Sequence, residues 1–386
     1  MENTSYYPSQ ECYPPIISDT LRLLLRAGRS VLRVGVYKHG LGKVYDLVLD
    51  APLGEEVFNS LYKQLVEKYR YFPLQLSSGN PVLRLVPIRG RGWKQLKLVL
   101  LIATIATVLL TGYSISEGFY STLGMESDLL TTLELSIVYT GAFLVALGIH
   151  EYGHIAVSRG SGVVIEGPYF IPAPPIQLGF IGTLGAVINM KTLPPSKKAL
   201  ARLGLAGPLA GYVIALAIGV IGVFLSPIIE LSEVYQLVSE GRVVELDILP
   251  VTVYILIALR GVPPGYTILL HPLFFASFIV LIVTFLNLMP IGQLDGGHVL
   301  RSYVSSKKYE YIGYSVITVM LAAGLVLRSG AGLYYSLLAV VLLILKLVLG
   351  LKPHPGSANQ YSTMRDYKYL ILYLVLVALT IPIPVV

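Results

Sequence analysis

Three neighbouring side chains in this sequence have the types and spacing for metal chemistry. Gly148-Ile149-His150-Glu151-Tyr152-Gly153-His154 reads H-E-x-x-H. Residues four apart on a helix share a face, so His150 and His154 can offer imidazole nitrogens to one Zn²⁺. Glu151 lies beside them, where a carboxylate can take a proton from a water that zinc activates. The setting is unusual. The run from about Leu133 to Ile149 is almost wholly apolar, and Ile155-Ala156-Val157 follow the motif. Ionisable groups are costly inside lipid, so this register points to a metal site rather than to a structural polar cluster.

Two histidines leave such a site incomplete; a third protein ligand is needed, with one position open for water. The best candidate lies in Asn287-Leu288-Met289-Pro290-Ile291-Gly292-Gln293-Leu294-Asp295-Gly296-Gly297-His298. Asp295 ends an apolar run and is the only acid between Ile248 and Arg301. An Asp-Gly pair alone usually marks a turn, but here it closes a membrane span on the side that carries the first motif. His298, three residues on, faces the metal if the helix continues, although a hydrogen bond outside the ligand set is the plainer expectation. Asn189 is a candidate for lining the site, against the plainer reading of a strand-end turn.

The elements that must hold these residues are mostly apolar. The chain has 386 residues, 54% hydrophobic and 13% charged, with a mean hydropathy of +0.70. Soluble domains carry about 25% charged residues, so the composition is that of a polytopic membrane protein. The net charge of +7 reflects basic loops between apolar runs, and no aromatic–basic pattern for nucleic acid accompanies it. The one cysteine, Cys12, excludes an internal disulfide and a cysteine zinc site. The first residues lack the basic patch and apolar core of a cleavable signal.

Residues 1–92 are expected to form a small soluble α+β domain. It has a helix capped by Ser18-Asp19 and running to about Ala27, and strands at Val31–Tyr37 and Val44–Leu49 joined by the turn His39-Gly40-Leu41-Gly42. A helix at Glu55–Tyr69 and strands at Phe72–Leu76 and Val82–Val86 follow. A basic collar, Arg89 to Lys97 with Trp93, leads into the first of about seven spans: Leu98–Ile115, Leu133–Val157, Leu203–Leu225, Pro272–Met289, Tyr311–Leu327, Gly332–Leu349 and Tyr369–Val386. Ile248–Leu259 is too short to cross about 30 Å of hydrocarbon and reads as interfacial. Between the second and third spans, strand pieces at Gly162–Glu166 and Leu184–Met190 flank a proline-rich stretch. Irregular backbone at membrane depth must be buried in protein or line a wet cavity, so a re-entrant β-hairpin lining the site is expected. Gly204, Gly207 and Gly211 in the third span permit close helix contact. Glu166 reads as a solvated or capping acid. Lys and Arg gather at 89–97, 159–202, 301–308 and 352–368, which makes the N-terminus cytoplasmic by the positive-inside rule and the cell membrane the expected location.

His150-Glu151-x-x-His154 with Asn287-x-x-Pro290-x-x-x-x-Asp295-Gly296 resembles the site-2 protease family of intramembrane zinc metalloproteases. Leu203-Gly204-Leu205-Ala206-Gly207-Pro208-Leu209-Ala210-Gly211 and the Asn287–Gly297 run resemble the chloroplast ethylene-dependent gravitropism-deficient and yellow-green branch and its microbial relatives. The likeness covers about residues 96–310, and no inserted PDZ domain is visible. The resemblance implies one Zn²⁺ per chain on His150, His154 and Asp295, with Glu151 as general base. It also implies a substrate-binding role for Asn287 and transmembrane segments of other proteins as substrates. The implied organisation is a cytoplasmic domain at 1–92, a metalloprotease core at 93–310 and additional C-terminal helices at 311–386. A regulator acting through the N-terminal domain is a further expected partner. A catalytically silent zinc-binding scaffold of the same fold is the alternative, against which the intact Glu151 argues. A CAAX-type zinc protease would use a downstream glutamate as third ligand, and a transporter would show matching broken helices.

Overall fold

The computed structural model describes residues 5–6, 13–39, 42–88, 90, 94–327, 330–347 and 355–385. Cys12, the turn residues Gly40 and Leu41, four residues of the basic collar (Arg89, Arg91, Gly92 and Trp93) and His354 lie outside the described residues.

The N-terminal unit runs β1 (Ser5–Tyr6), α1 (Pro15–Arg26), β2 (Val31–His39), β3 (Gly42–Leu49), α2 (Glu55–Tyr69), β4 (Tyr71–Ser78) and β5 (Asn80–Pro87). Its strands pair antiparallel in the order β1-β2-β3-β5-β4. The first helix begins earlier than the expected Ser18-Asp19 cap, because Pro15 at its first turn has its φ already set for a helix. Asp19 falls inside the helix and pairs with Lys68 of α2 at 2.6 Å. Phe58, Leu61, Tyr62 and Leu65 recur at helical spacing and bury one face of α2 against Leu47, Leu49, Leu83 and Leu85 of the central strands.

The apolar part begins with α3 (Lys94–Thr122) and α4 (Leu129–Ser161), the latter capped by Asp128 accepting from the Thr131 amide. A hairpin of β6 (Ile165–Pro172) and β7 (Thr183–Met190) leads to α5 (Lys197–Leu225). Then come β8 (Ile228–Glu230), α6 (Leu231–Ser239), β9 (Ile248–Pro250), α7 (Val251–Arg260), β10 (Tyr266–Ile268) and α8 (Pro272–Asn287). The chain closes with α9 (Asp295–Tyr303), α10 (Ser306–Val326), α11 (Gly330–Leu347), α12 (Lys368–Thr380) and β11 (Pro382–Pro384).

Among the described residues, five helices are long and apolar enough to cross a membrane: 95–122, 129–161, 197–225, 306–326 and 330–347. Two expected spans are shorter. α8 has 16 residues and α12 has 13, about 24 and 20 Å of helix. Pro290 ends the first soon after Asn287, and the second gives way to β11, which pairs with β9. One face of α7, with Val253 and Leu256, is buried in the core that α4, α5 and α8 build, while Ile255 and Leu259 stay exposed. His271 caps α8, its Nδ1 accepting from the Leu273 amide.

The hairpin lies along α3. Lys97 Nζ donates to the Gly167 carbonyl, Thr107 Oγ1 to the Gly182 carbonyl and Gln177 Nε2 to Ser114 Oγ. From Lys97 to Ser114 is roughly 25 Å of helix axis. β6 takes the α3 side, and the outer edge of β7 pairs with no strand among the described residues. Glu166 is not the solvated acid expected from sequence; it pairs with Lys191 across the hairpin root at 2.6 Å.

A clasp joins the N-terminal unit to this root. The segment between α11 and α12 lies beside β4, with the Gln75 amide donating to the Ala358 carbonyl (2.9 Å) and the Gln360 amide to the Gln75 carbonyl (3.0 Å). The Gln75 side chain, fully buried, bonds Leu53 and Asn359 Oδ1. On its other side the segment reaches the stretch just after β7, through Ala358 N to Pro194 O (2.7 Å) and Asn359 N to Pro195 O (3.2 Å). Tyr62 of α2 also donates to the Leu193 carbonyl there.

Candidate metal centre

α4 presents His150 and His154 one turn apart and buried, with His150 about 16 Å along the axis from the helix's C-terminal end. α8 stops at Asn287, the loop Leu288–Leu294 turns back through Gly292 at φ +56°, and α9 starts at Asp295. Asp295 thus sits in the first turn of α9, where the helix dipole favours an anion.

The three residues meet. His150 Nε2 lies 3.2 Å from Asp295 Oδ2, His154 Nε2 lies 3.3 Å from Oδ1, and the two Nε2 atoms are 3.3 Å apart. Zinc bonds of about 2.0–2.1 Å in a tetrahedron require ligand atoms roughly 3.3–3.4 Å from one another, so the spacing and the donor set both fit that ion. His154 Nδ1–H donates to the Leu203 carbonyl at 2.9 Å, which orients the ring and leaves Nε2 bare toward the cluster. Among the described residues, His150, His154 and Asp295 are the one group of this kind able to hold a metal ion.

α5 makes this fit possible. Gly204, Gly207 and Gly211 share one face, as three- and four-residue spacing dictates. A Cβ at Gly207 would collide with His154 Nε2. One at Gly204 would come 2.6 Å from the Asp295 carbonyl oxygen, and one at Gly211 would press on His150 at 3.1 Å. Gly153 of α4 returns the contact, lying against the Ala206 carbonyl.

The cluster opens on a cavity of about 180 Å³ lined by Glu151, Ser158, Asn287, Gln293 and His298 together with Ala186, Val187, Ile188 and Met190 of β7. Glu151 is 5% exposed, and Glu151 and Asn287 both line the cavity. Asn189 is not among the lining residues; it sits opposite Glu166 near the hairpin root. His298 is buried in the cavity wall but outside the group of three. Ser158 and Gln293 went unremarked in the sequence. Ser158 had a signal, being one turn beyond His154 on the motif face; the Leu203 carbonyl, a backbone group, had none.

Residues 138–327 match the family model described as Peptidase family M50. The chain belongs to that family. Among M50-like relatives, it is 29% identical over 221 residues to the probable zinc metalloprotease EGY2, chloroplastic, of Arabidopsis thaliana, covering 55% of this chain and 38% of that protein. It is 28% identical over 197 residues to the probable zinc metalloprotease EGY1, chloroplastic, of Oryza sativa subsp. japonica, covering 50% of this chain and 32% of that protein. With the zinc metalloprotease MJ0392 of Methanocaldococcus jannaschii it shares 27% identity over 208 residues, 51% of this chain and 46% of the relative. The chain thus spans less than half the length of these curated relatives. No solved structure matches it. Membership in the M50 family and the five apolar helices together make it an integral membrane protein.

Proposed function

We propose that this M50 protein is an intramembrane zinc metalloendopeptidase that cleaves transmembrane segments of other membrane proteins. The observation that carries this reading is the meeting of His150, His154 and Asp295 beside Glu151, in a cavity whose opposite wall is a strand edge. His150, His154 and Asp295 hold the ion, one per chain. Bound there, zinc supplies polarisation of the scissile carbonyl and an activated water. Glu151 takes the proton from the attacking water and returns it to the leaving amine, its carboxylate kept from bulk solvent by burial. Asn287, at the cavity wall, hydrogen-bonds the substrate strand or its scissile carbonyl.

A transmembrane helix has its carbonyls tied up in hydrogen bonds and must be unwound before cleavage. The free edge of β7 offers the replacement partners, by strand addition. The contacts of the hairpin along about 25 Å of α3 support a re-entrant placement at membrane depth. We keep seven spans, with α8 and α12 as short ones inside the bundle, and the division into 1–92, 93–310 and 311–386. The N-terminal unit faces the cytoplasm by the positive-inside rule. The cell membrane is its location in a prokaryote and a plastid membrane in a plant. The clasp gives a regulator of the N-terminal unit a physical route to the hairpin root.

The test compares the purified protein with Glu151→Gln, measuring bound zinc and cleavage of a synthetic transmembrane substrate. Both proteins should hold about one zinc, and the variant should cleave about 10²–10⁴-fold more slowly. Cleavage that survives the substitution, or a folded, zinc-loaded protein that cuts no membrane substrate, overturns the proposal.

A further inference from the structure

Asp295 hangs on a loop, Leu288–Leu294, that has no helix of its own, yet it must meet two imidazoles on a rigid helix. Two buried tyrosine hydroxyls from the C-terminal helices grip that loop. Tyr373 of α12 donates to the Leu288 carbonyl at 2.9 Å, and Tyr309 of α10 to the Gly292 carbonyl at 2.7 Å. Both side chains are almost wholly inaccessible, 6% and 1% exposed.

The two anchored points touch the start of α9 directly. A Cβ at Gly296 would fall on the Leu288 carbonyl, and one at Gly297 on the Tyr309 hydroxyl. The two residues after Asp295 therefore rest on the very atoms that the tyrosines fix. Carbonyls bonded by buried hydroxyls in a low-dielectric interior have no water to fall back on, so these bonds set where the loop sits. α12 adds packing to the grip: Tyr373 and Leu376 cluster with Leu288, with Val299 of α9 and with Leu205 of the glycine-bearing helix.

We propose that Tyr309 and Tyr373 are positioning residues that hold Asp295 at ligand distance from His150 and His154. This makes α12, which lies beyond the matched residues 138–327, part of the metal centre's support. The inference rests on the reading that those three residues bind zinc. A helix appended for membrane anchoring alone would have no reason to place a polar hydroxyl on this loop.

The experiment uses full-length protein carrying Tyr373→Phe or Tyr309→Phe, each of which removes one oxygen and keeps the ring. Zinc affinity is measured by chelator competition, and the visible spectrum of the Co²⁺-loaded form reports ligand geometry. Partners behind the ligands are commonly worth 10–100-fold in metal affinity. These act through the backbone, so each variant is expected to bind zinc about 10-fold more weakly, with an altered Co²⁺ spectrum. Tyr254→Phe, whose hydroxyl donates to the Pro384 carbonyl away from the loop, should change neither. Unchanged affinity and spectrum in both loop variants, even with lowered thermal stability, overturn the proposal. If one variant does not accumulate, the other decides by the same two readouts. Failure of the unmodified protein to bind zinc would instead refute the underlying metal assignment.

Discussion

The two walls of the cavity are built on opposite plans. On one side α4 and α5 press together so closely that Gly207 and Gly211 replace side chains with the rings of His154 and His150. On the other side β7 offers an edge that pairs with no strand among the described residues, with Leu184 and Val187 exposed. The first wall leaves the ligand rings no room to move. The second leaves backbone groups unmet, which a chain passing through could satisfy. A protease needs both, since metal geometry tolerates little error whereas substrates vary in sequence. Strand pairing reads backbone and so tolerates that variation.

The strongest way to break this contrast is on the glycine side. Gly207→Ala drives a methyl group against His154 Nε2, so bound zinc should fall to a small fraction of the unmodified level and cleavage should disappear with it. Gly148→Ala, in α4 beside the motif but with nothing near its added methyl, should keep its zinc. Metal analysis of the two purified variants checks this. Equal zinc in both would mean that the tight wall is not what shapes the ligands.

On the open wall the expected result is reversed. Prolines introduced one at a time between Leu184 and Asn189 remove amides from the strand. At the most sensitive positions, cleavage of a membrane substrate should drop by about 10-fold or more, as expected when about 1.4 kcal/mol or more of strand pairing is lost. Zinc content should hardly change. Parallel loss of zinc and cleavage would tie β7 to the metal rather than to substrate.

A smaller effect is expected at the clasp. Asn359→Ala leaves Gln75 without one of its buried partners, a cost of about 1–3 kcal/mol. The N-terminal unit should become more accessible to limited proteolysis and cleavage should change a few-fold, while zinc affinity stays constant. A change in zinc affinity of the same size would show that the clasp reaches the tight wall as well, and the contrast would narrow.

The sequence made the ligands legible because their types are rare in apolar helices. His150, Glu151, His154 and Asp295 announce themselves as ionisable groups in mostly apolar surroundings. α2 was legible in its bounds, Glu55–Tyr69, because its apolar residues recur at helical spacing. Other features were not. Asn189 carries a suitable side chain, but whether it reaches the cavity depends on where tertiary packing sets the end of β7. α8 and α12 end sooner than their hydropathy suggests, because the proline-bearing stretches at Pro290 and Pro382 stop them. The Leu203 carbonyl and the tyrosine bonds to Leu288 and Gly292 involve backbone acceptors, which have no letter in a sequence. Gly207 read only as a packing residue, since what it packs against is fixed by tertiary contact.

The clasp also has a bearing on how the molecule is made. Gln75 and Asn359 are separated by 284 positions, so at roughly 5–20 residues per second a ribosome delivers the second about 15–60 s after the first. By the end of that interval the helices carrying His150, His154 and Asp295 have both been synthesised, yet the segment that ties the hairpin root to the N-terminal unit is only then delivered. A newly made chain therefore completes its clasp only after those helices exist, and the proteolysis proposed above starts from a molecule whose hairpin is tied late.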